Sequence, residues 1–270
     1  MLNVFKYELL TWCYKIAEAK KLKHAKRLYF NTIKANTYSL KRLDNILVSK
    51  EKSEVRLFAI MRNESARLPH FIDYYKRLGV DSFFLVDNNS TDDSVAFALA
   101  QEKVYVFETK ENYQNHWYWM EYLLETYGRE HWCVVVDIDE LFSYPHAEQV
   151  SLKELSIFLE RKNQTAVKTF LLDMYSDKSI IEATYESGRN PLETVNCFDK
   201  DYKKMPFSFP DRITGKPYSF EIFTGGMRDR VFGKSNPPSI LSKVPFFKNV
   251  EGVYLSQGMH AINGATLSEI

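Results

Sequence analysis

The chain has 270 residues, of which 45% are hydrophobic and 15% aromatic, and its 36 basic and 35 acidic residues leave a net charge of +1. This composition excludes a disordered chain, and the length suits one large domain or two small ones. The three cysteines are widely separated and form no C-x-x-C pair, which argues against a zinc site or a disulfide framework and indicates a reducing compartment. No segment reaches the roughly 20 apolar residues of a membrane span, and we expect neither a span nor a signal peptide.

Residues 1–50 are predicted to form a basic helical extension. They contain neither Gly nor Pro and carry 11 Lys and Arg against 3 Asp and Glu. One interpretation is a basic amphipathic helix that lies on an anionic membrane surface. The other is an ordinary helix that packs on the following domain and leaves a basic face in solvent. No recognised nucleic-acid motif accompanies the charge, so we do not expect a nucleic-acid partner.

After this extension, predicted strands alternate with predicted helices. Strands are expected at 55–61, 82–86, 104–107 and 132–136, and helices at about 67–78, 94–101 and 117–127. Gly79 ends the first of these helices, and the polar residues 88–93 form a turn that caps the second. The alternation predicts an α/β fold with a mostly parallel, doubly wound sheet. Further along, a helix near 152–161 and a strand near 166–172 are expected, whereas 173–218 is predicted to be irregular.

The strand predicted at 132–136 runs directly into three carboxylates, those of Asp137, Asp139 and Glu140. Because side chains alternate along a strand, Asp137 and Asp139 are expected to point the same way. Like charges side by side repel unless a cation lies between them, and hard oxygen ligands suit Mg²⁺ or Mn²⁺ with open positions for phosphates. The simpler interpretation is a solvated acidic turn after a core strand.

Polar clusters follow three of the predicted strands. They are Arg62-Asn63-Glu64, Asp87-Asn88-Asn89-Ser90 and Asp137-Ile138-Asp139. The carboxyl ends of parallel strands share one edge of a sheet, so we expect the clusters to converge into a ligand site, although a helix cap explains any one of them alone. Neither G-x-G-x-x-G nor a P-loop motif is present, which leaves a metal-bridged nucleotide diphosphate as the expected ligand.

In this order the clusters resemble GT-A glycosyltransferases of the family 2 type, in the bacterial subgroup that reads R-N-E, L-G-V-D, D-N-x-S-T-D-D and D-x-D-E. The corresponding segments here are residues 62–64, 78–81, 87–93 and 137–140. The resemblance implies a GT-A fold, with a Rossmann-like sheet flanked by helices, over residues 51–270. Its nucleotide-binding half would be 51–145 and its acceptor half 146–270.

The resemblance also implies how the donor, expected to be a UDP-sugar, is bound. Asp87 would accept hydrogen bonds from the base, with Asn63 and Glu64 near the base or ribose. Arg62 and Asn89 are grouped with them as donor-binding residues.

The implied metal is Mn²⁺ or Mg²⁺. Asp139 would be its main ligand, and Asp137 would face the ribose or the metal. His260 would complete the metal shell, although a lone histidine is about as often structural. Glu140 would orient the site.

The implied reaction is an inverting displacement at the anomeric carbon, in which a carboxylate deprotonates the acceptor hydroxyl. The usual Glu-Asp pair of such enzymes is absent here, and Asp229 and Glu221 are the candidate bases. Arg228 and Arg230 either contact phosphate or form a solvated helix face. The aromatic residues at 113 and 117–119 form either a sugar platform or part of the core.

Two rival functions stay open. A haloacid-dehalogenase-like phosphohydrolase also has a strand ending in D-x-D, but that motif usually continues to Thr or Val where this chain has Leu141. A non-catalytic relative that binds nucleotide sugar or glycan would keep the fold without turnover. The favoured interpretation is a transferase on the cytoplasmic face of the plasma membrane. It would move sugar to a glycan or glycolipid acceptor in bacterial surface polysaccharide or lipopolysaccharide synthesis.

Overall fold

The computed structural model describes residues 2–36, 40–211, 213–233, 238–256 and 260–269, and the side chains of 2–15, 18, 19, 36 and 269 lie outside that description. The described helices are α1 Leu2–Asn36, α2 Leu68–Leu78, α3 Ser94–Leu99, α4 His116–Leu123, α5 Leu152–Arg161 and α6 Gly226–Phe232. A π-helical turn, Leu124–Gly128, extends α4.

Fourteen strands lie within the described residues. The first seven are β1 Lys41–Arg42, β2 Val55–Met61, β3 Ser82–Asp87, β4 Val104–Glu108, β5 Trp132–Val135, β6 Ala166–Phe170 and β7 Met174–Tyr175. The others are β8 Cys197–Phe198, β9 Tyr202–Pro210, β10 Pro217–Gly225, β11 Ser242–Lys248, β12 Tyr254–Ser256, β13 Ala261–Asn263 and β14 Leu267–Glu269.

Eight strands form one sheet in the order β1-β4-β3-β2-β5-β11-β6-β14. Its centre, β4-β3-β2-β5, is parallel throughout, and β14 runs parallel to β6. The α/β prediction is therefore confirmed, and the strand and helix positions expected from β2 to β6 are correct to within a few residues. The helix expected over residues 1–50 is shorter, because it ends at Asn36 and Lys41–Arg42 form the edge strand β1 beside β4. The sheet differs from a purely doubly wound one because β11 runs antiparallel to both β5 and β6.

Helices cover both faces of the parallel strands, which explains why every residue of β2 and β3 is buried. Leu57 and Ala59 face one core with α2 and α5, whereas Phe58 and Ile60 face a second core with α4. Gly79 ends α2 with φ of 103°, a left-handed conformation that glycine adopts without steric cost. These packed helices fix the ends of β2, β3 and β5 along one edge.

Residues 173–218, predicted to be irregular, contain part of a long antiparallel hairpin. β9 and β10 pair from Tyr202 with Gly225 to Pro210 with Pro217. Its turn is tied down because the buried carboxylate of Asp211 accepts hydrogen bonds from the hydroxyl of Tyr254 (2.6 Å) and from the side-chain amide of Asn263.

The carboxyl-terminal part of α1 packs on the domain. Ile33 is buried, and the ring of Tyr29 lies 6.0 Å from those of both Trp117 and Tyr254. This part of the helix matches the interpretation of a packed extension. The membrane interpretation combines the aromatic residues before position 15, whose side chains lie outside the description, with the basic residues of 20–27, and it stays a prediction. Among the described helices, none combines the length and apolar character needed to cross a bilayer.

Candidate functional site

The polar residues that follow β2 and β3 are joined by hydrogen bonds. The backbone N–H of Asn63 donates to Ser90 Oγ (2.9 Å), and that of Glu64 donates to Ser94 Oγ (2.8 Å). In return, Asn63 Oδ1 accepts from the backbone N–H of Thr91 (2.7 Å). Asn63 has φ of 56°, a left-handed conformation in which asparagine is enriched. The first two strand-end clusters thus lie together, as expected from a parallel sheet.

Asp92 holds the same two loops together. Its Oδ2 accepts from the backbone N–H of Ser65 (3.0 Å), and its Oδ1 accepts from the backbone N–H (3.0 Å) and hydroxyl (2.5 Å) of Ser94. Partial burial raises the pKa of Asp92, but the hydrogen bonds from Ser94 and Ser65 outweigh it and lower the pKa to about 2. The carboxylate therefore stays ionised over the range in which most proteins function.

Asp87 lies deep at the end of β3, with 2% of its surface exposed. Its carboxylate accepts a hydrogen bond from the backbone N–H of Ser90 (3.1 Å). The neighbouring Asn88 donates to the carbonyl of Glu111 (3.0 Å), which ties the loop after β4 to this edge. Arg62 and Asn89, the other predicted donor-binding residues, are exposed beside these clusters.

Lys243 from β11 reaches into the acidic end of β5. Its Nζ donates to Asp137 Oδ2 (3.0 Å) and to Glu140 Oε2, and its side chain is only 1% exposed. The backbone N–H of Asp137 also donates to Glu140 Oε2 (3.0 Å). Burial lowers the pKa of Lys243, but the charges of Glu140 and Asp137 prevail and raise it, so the ammonium stays charged.

Asp139 differs from its two acidic neighbours. It is exposed, and within the described residues its carboxylate accepts no hydrogen bond. A hydrogen bond to Glu64 raises the pKa of Arg67, and the charge of Asp139 adds to that effect. Burial raises the pKa of Tyr113, to which the charges of Asp137 and Asp139 also contribute. The loops after β2 and β4 and the end of β5 therefore face one region.

His260 contacts the residue before Lys243, and the charge of Lys243 reaches it. Its Nδ1 is 3.0 Å from the carbonyl of Ser242, so this nitrogen donates and Nε2 is left with its lone pair. Burial lowers the pKa of His260, and the nearby ammonium of Lys243 lowers it further. A neutral imidazole with an available Nε2 is the form that binds metal.

The predicted metal ligands fit a divalent ion by type but only partly by arrangement. Asp139, the second oxygen of Asp137 and the Nε2 of His260 are suitable donors for Mn²⁺ or Mg²⁺. No three such side chains within the described residues are gathered closely enough to hold an ion. Mg²⁺ commonly takes one or two carboxylates together with substrate phosphates, and that pattern matches this acidic end.

The two candidate bases differ in position. Tyr218 and Phe220 of β10 line a cavity of about 10 Å³ together with His260. Because side chains alternate along a strand, Glu221 points to the opposite face, and it is exposed there. The structure therefore does not bring Glu221 to His260. Asp229 is half-buried on α6, one residue from Arg228, whose charge reaches His260.

Both arginines of α6 already have carboxylate partners. Arg228 donates two hydrogen bonds to Asp173, of 2.7 and 2.8 Å. Arg230 donates to Asp199 (2.6 Å) and lies over the ring of Tyr175. Neither guanidinium is simply a solvated helix face.

The four aromatic residues considered as a sugar platform separate into different roles. Trp119 is fully buried in the core, and Trp117 stacks on Tyr118 and on α1. Tyr113 stacks on His116 and is half exposed near the acidic end of β5. Of the four, Tyr113 is the residue whose pKa responds to the charges of Asp137 and Asp139, so it lies near these two carboxylates.

Sequence reasoning missed Lys243 and Asp173. A lysine inside the apolar run Ser242-Lys243-Val244-Pro245-Phe246 was an available signal, because a lysine is almost never fully buried unless it is paired. Asp173 follows β6 by a few residues and offered only the weak signal of one more polar residue after a strand.

No family model and no curated protein sequence matches the chain. Solved structures that resemble it include a mannosyltransferase from Pyrobaculum calidifontis in complex with GDP-Man and Mn²⁺. The two chains share 17% sequence identity with a TM-score of 0.31 over 62% of this chain. The match covers 47% of that chain, so this protein spans about half of its length.

Proposed function

We propose that this protein is a glycosyltransferase that uses a nucleotide sugar, with the donor bound at the edge formed by the ends of β2, β3 and β5. The observation that carries the proposal is that the loop after β2, with Asn63, is hydrogen-bonded to the loop after β3, with Asp87 and Asp92, beside an exposed Asp139. Ligands of open α/β sheets bind outside the carboxyl ends of the strands. A purely structural protein would not need polar clusters after three strands on one edge.

The donor-binding roles follow from these positions. Asp87 and Asn63 would contact the base and ribose, with Glu64, Arg62 and Asn89 around them. We propose a UDP-sugar as the donor. The side chain of Asn63 accepts a hydrogen bond from Thr91 of the neighbouring loop, and the backbone N–H groups of Asn63 and Glu64 donate to that loop. This ordering reduces the entropy lost when the donor binds.

Asp139, with Asp137 and His260, would hold Mn²⁺ or Mg²⁺ at the diphosphate. When bound, such an ion neutralises the charge that develops on the departing nucleoside diphosphate. Asp139 is exposed and can turn toward the phosphates, whereas Asp137 is oriented by Lys243. The neutral His260, whose Nδ1 donates to the carbonyl of Ser242, would offer its Nε2 to the ion.

Asp229 is the proposed base. It would accept the proton of an acceptor hydroxyl as that oxygen bonds to the anomeric carbon and the bond from this carbon to the diphosphate breaks, with inversion. Asp229 is preferred to Glu221 because Glu221 points away from the face that carries His260. The acceptor would be a glycan or glycolipid of a bacterial surface polysaccharide or lipopolysaccharide, at the cytoplasmic face of the membrane.

A non-catalytic nucleotide-sugar-binding protein is the second candidate. The observation that favours it is the engagement of Asp137 by Lys243 and of Arg228 by Asp173, which leaves fewer free charged groups for catalysis. Such a protein would bind the donor and release no nucleoside diphosphate.

A thermal-shift panel of UDP-, GDP- and dTDP-sugars, with and without Mn²⁺, tests the proposal. At a ligand concentration of about 100 times Kd, binding stabilises the folded state by about 2.7 kcal/mol, which shifts Tm measurably. We expect one nucleotide class to raise Tm, and Asp87→Ala to reduce that shift. Asp93→Ala, an exposed residue of the same loop, is the control. The proposal fails if no nucleotide sugar changes Tm at millimolar concentration.

A further inference from the structure

Lys243 is placed by an irregularity in its own strand. The pairing of β11 with β6 shifts register between Lys243 and Phe246, where Pro245 cannot donate a backbone hydrogen bond. Bulges of this kind re-aim side chains and occur often beside active sites. Because Phe246 pairs with Val134 in antiparallel register, the start of β11 runs alongside the residues that follow β5.

The surroundings of Lys243 explain why its ammonium is fixed. Its side chain is 1% exposed, and it donates to Asp137 Oδ2 and Glu140 Oε2. A buried ammonium without partners is strongly unfavourable, and these two carboxylates compensate it. Glu140 is held in turn by the backbone N–H of Asp137 (3.0 Å). The three groups form one ion-paired unit, with a buried lysine and partly exposed carboxylates, and its net charge is −1.

Lys243 reduces both the negative charge and the number of free carboxylate oxygens that the residues after β5 present to a metal ion. Asp137, Asp139 and Glu140 together carry −3, which Lys243 reduces to −2. The Lys243 ammonium also donates hydrogen bonds to one oxygen of Asp137 and one oxygen of Glu140. Of the three carboxylates, Asp139 is therefore the one that the ammonium does not bind. Within the described part of the chain, no three potential ligands are gathered around one point.

We propose that Lys243 is a positioning residue that competes with a divalent ion for Asp137, so that Mn²⁺ binds this site strongly only together with a nucleoside diphosphate. The inference rests on the proposed function. The ammonium repels an incoming cation and holds an oxygen that the cation needs. A bound diphosphate supplies the missing oxygen ligands and the negative charge that the protein lacks. Lys243 thereby couples metal binding to donor binding.

Mn²⁺ binding measured by electron paramagnetic resonance, with no nucleotide present, tests the role of Lys243 directly. Removing a unit charge a few ångströms from the ion is expected to tighten Mn²⁺ binding of Lys243→Met by roughly tenfold or more. Lys248→Met is the matched control, because Lys248 lies on the same strand and pairs with Glu160 at the surface (2.6 Å). It should bind Mn²⁺ as the wild type does. Equal Mn²⁺ affinity in wild type and Lys243→Met overturns the proposal.

Stability provides a second readout. Lys243→Met leaves the largely buried Glu140 beside the like charge of the partly exposed Asp137, so we expect Tm to fall by roughly 10 °C and Mn²⁺ to restore part of the loss. The double variant Lys243→Met/Glu140→Gln removes one of these charges and should recover Tm while still binding Mn²⁺ more tightly than wild type. If the double variant folds and binds Mn²⁺ no better than wild type, Lys243 does not compete for Asp137.

Mn²⁺ binding measured with added nucleotide distinguishes a failure of this inference from a failure of the proposed function. Addition of UDP to the wild type should tighten Mn²⁺ binding by roughly tenfold, and UMP, which lacks the second phosphate, should have less effect. If none of UDP, GDP and dTDP binds, the proposed function fails, whereas the nucleotide-free comparison of Lys243→Met with wild type still decides the role of Lys243. Tight Mn²⁺ binding by the wild type without nucleotide would contradict the coupling.

Discussion

Single buried polar groups around β5 are tolerated for different reasons. The ammonium of Lys243 stays charged because two carboxylates accept its hydrogen bonds. The thiol of Cys133 stays neutral because burial raises its pKa, and it donates weakly to the carbonyl of Gly128 (3.4 Å). Burial disfavours the charged form of both groups. Lys243 keeps its charge because carboxylates pair with it, whereas Cys133 has no charged hydrogen-bond partner among the described residues and stays a neutral thiol.

The state of Cys133 predicts its reactivity. Iodoacetamide at pH 8 should modify Cys197, which is half-buried on β8, and leave Cys133 unmodified until the protein unfolds, because the thiolate is the reacting species. Peptide mass spectrometry distinguishes the sites, including Cys13. Modification of Cys133 in the native protein as fast as that of Cys197 would show that the core around β5 is open.

At the scale of elements, the loops after β2 and β3 behave as one unit. Asp92 accepts three hydrogen bonds from Ser65 and Ser94, and Asn63 and Ser90 add a second connection. The ends of two strands are thereby fixed relative to each other before any ligand binds. Such preorganisation is what a binding edge requires, because ordering loops during binding costs affinity.

Asp92→Asn should weaken this unit. We expect a loss of about 1 kcal/mol in the free energy of unfolding at pH 7, the usual scale of a capping residue. Since the pKa of Asp92 is lowered to about 2 in the folded protein, its contribution is present above about pH 4 and is lost as pH falls toward 2. Urea unfolding between pH 3 and 7 measures the narrowing difference. A pH-independent difference, or an equal loss in Asp93→Asn, would argue against this role.

The docking of α1 is a second property of elements that mutation can test. Ile33 is 2% exposed, and Leu28 on the same helix is 52% exposed. Ile33→Ala should cost about 2–4 kcal/mol of unfolding free energy, whereas Leu28→Ala should change it by less than about 0.5 kcal/mol. Equal effects of the two substitutions would mean that α1 does not pack on the domain as described.

Across the whole molecule, sequence patterns predicted correctly those elements whose structure depends on neighbouring residues in the chain. The buried runs of β2, β3 and β5 and the glycine after α2 identified the parallel half, and the parallel order then brought the Asn63 and Asp87 clusters together. The antiparallel placement of β11 was not predictable, because it depends on pairing between residues more than 100 positions apart. Lys243 was missed for that reason, since the carboxylates that make its burial tolerable lie on β5.

The second half of the chain was harder to predict for a related reason. The hairpin of β9 and β10 alternates aromatic and polar residues without a short turn signal, and its anchor is the distant contact of Asp211 with Tyr254 and Asn263. Likewise, the orientation of Glu221 away from His260 depends on which face of β10 lines the cavity beside that histidine. Both are properties of tertiary packing rather than of local sequence.

The central claim is that the exposed carboxylate of Asp139 serves transfer from a nucleotide sugar. The most direct measurement is the release of nucleoside diphosphate from a panel of nucleotide sugars in Mn²⁺, by wild type and by Asp139→Asn. We expect release by the wild type from one donor class, and a loss of about a hundredfold or more in Asp139→Asn with an unchanged Tm, because this residue is exposed and outside the core. Wild-type turnover in Asp139→Asn, or no release from any donor by the wild type, would contradict the account.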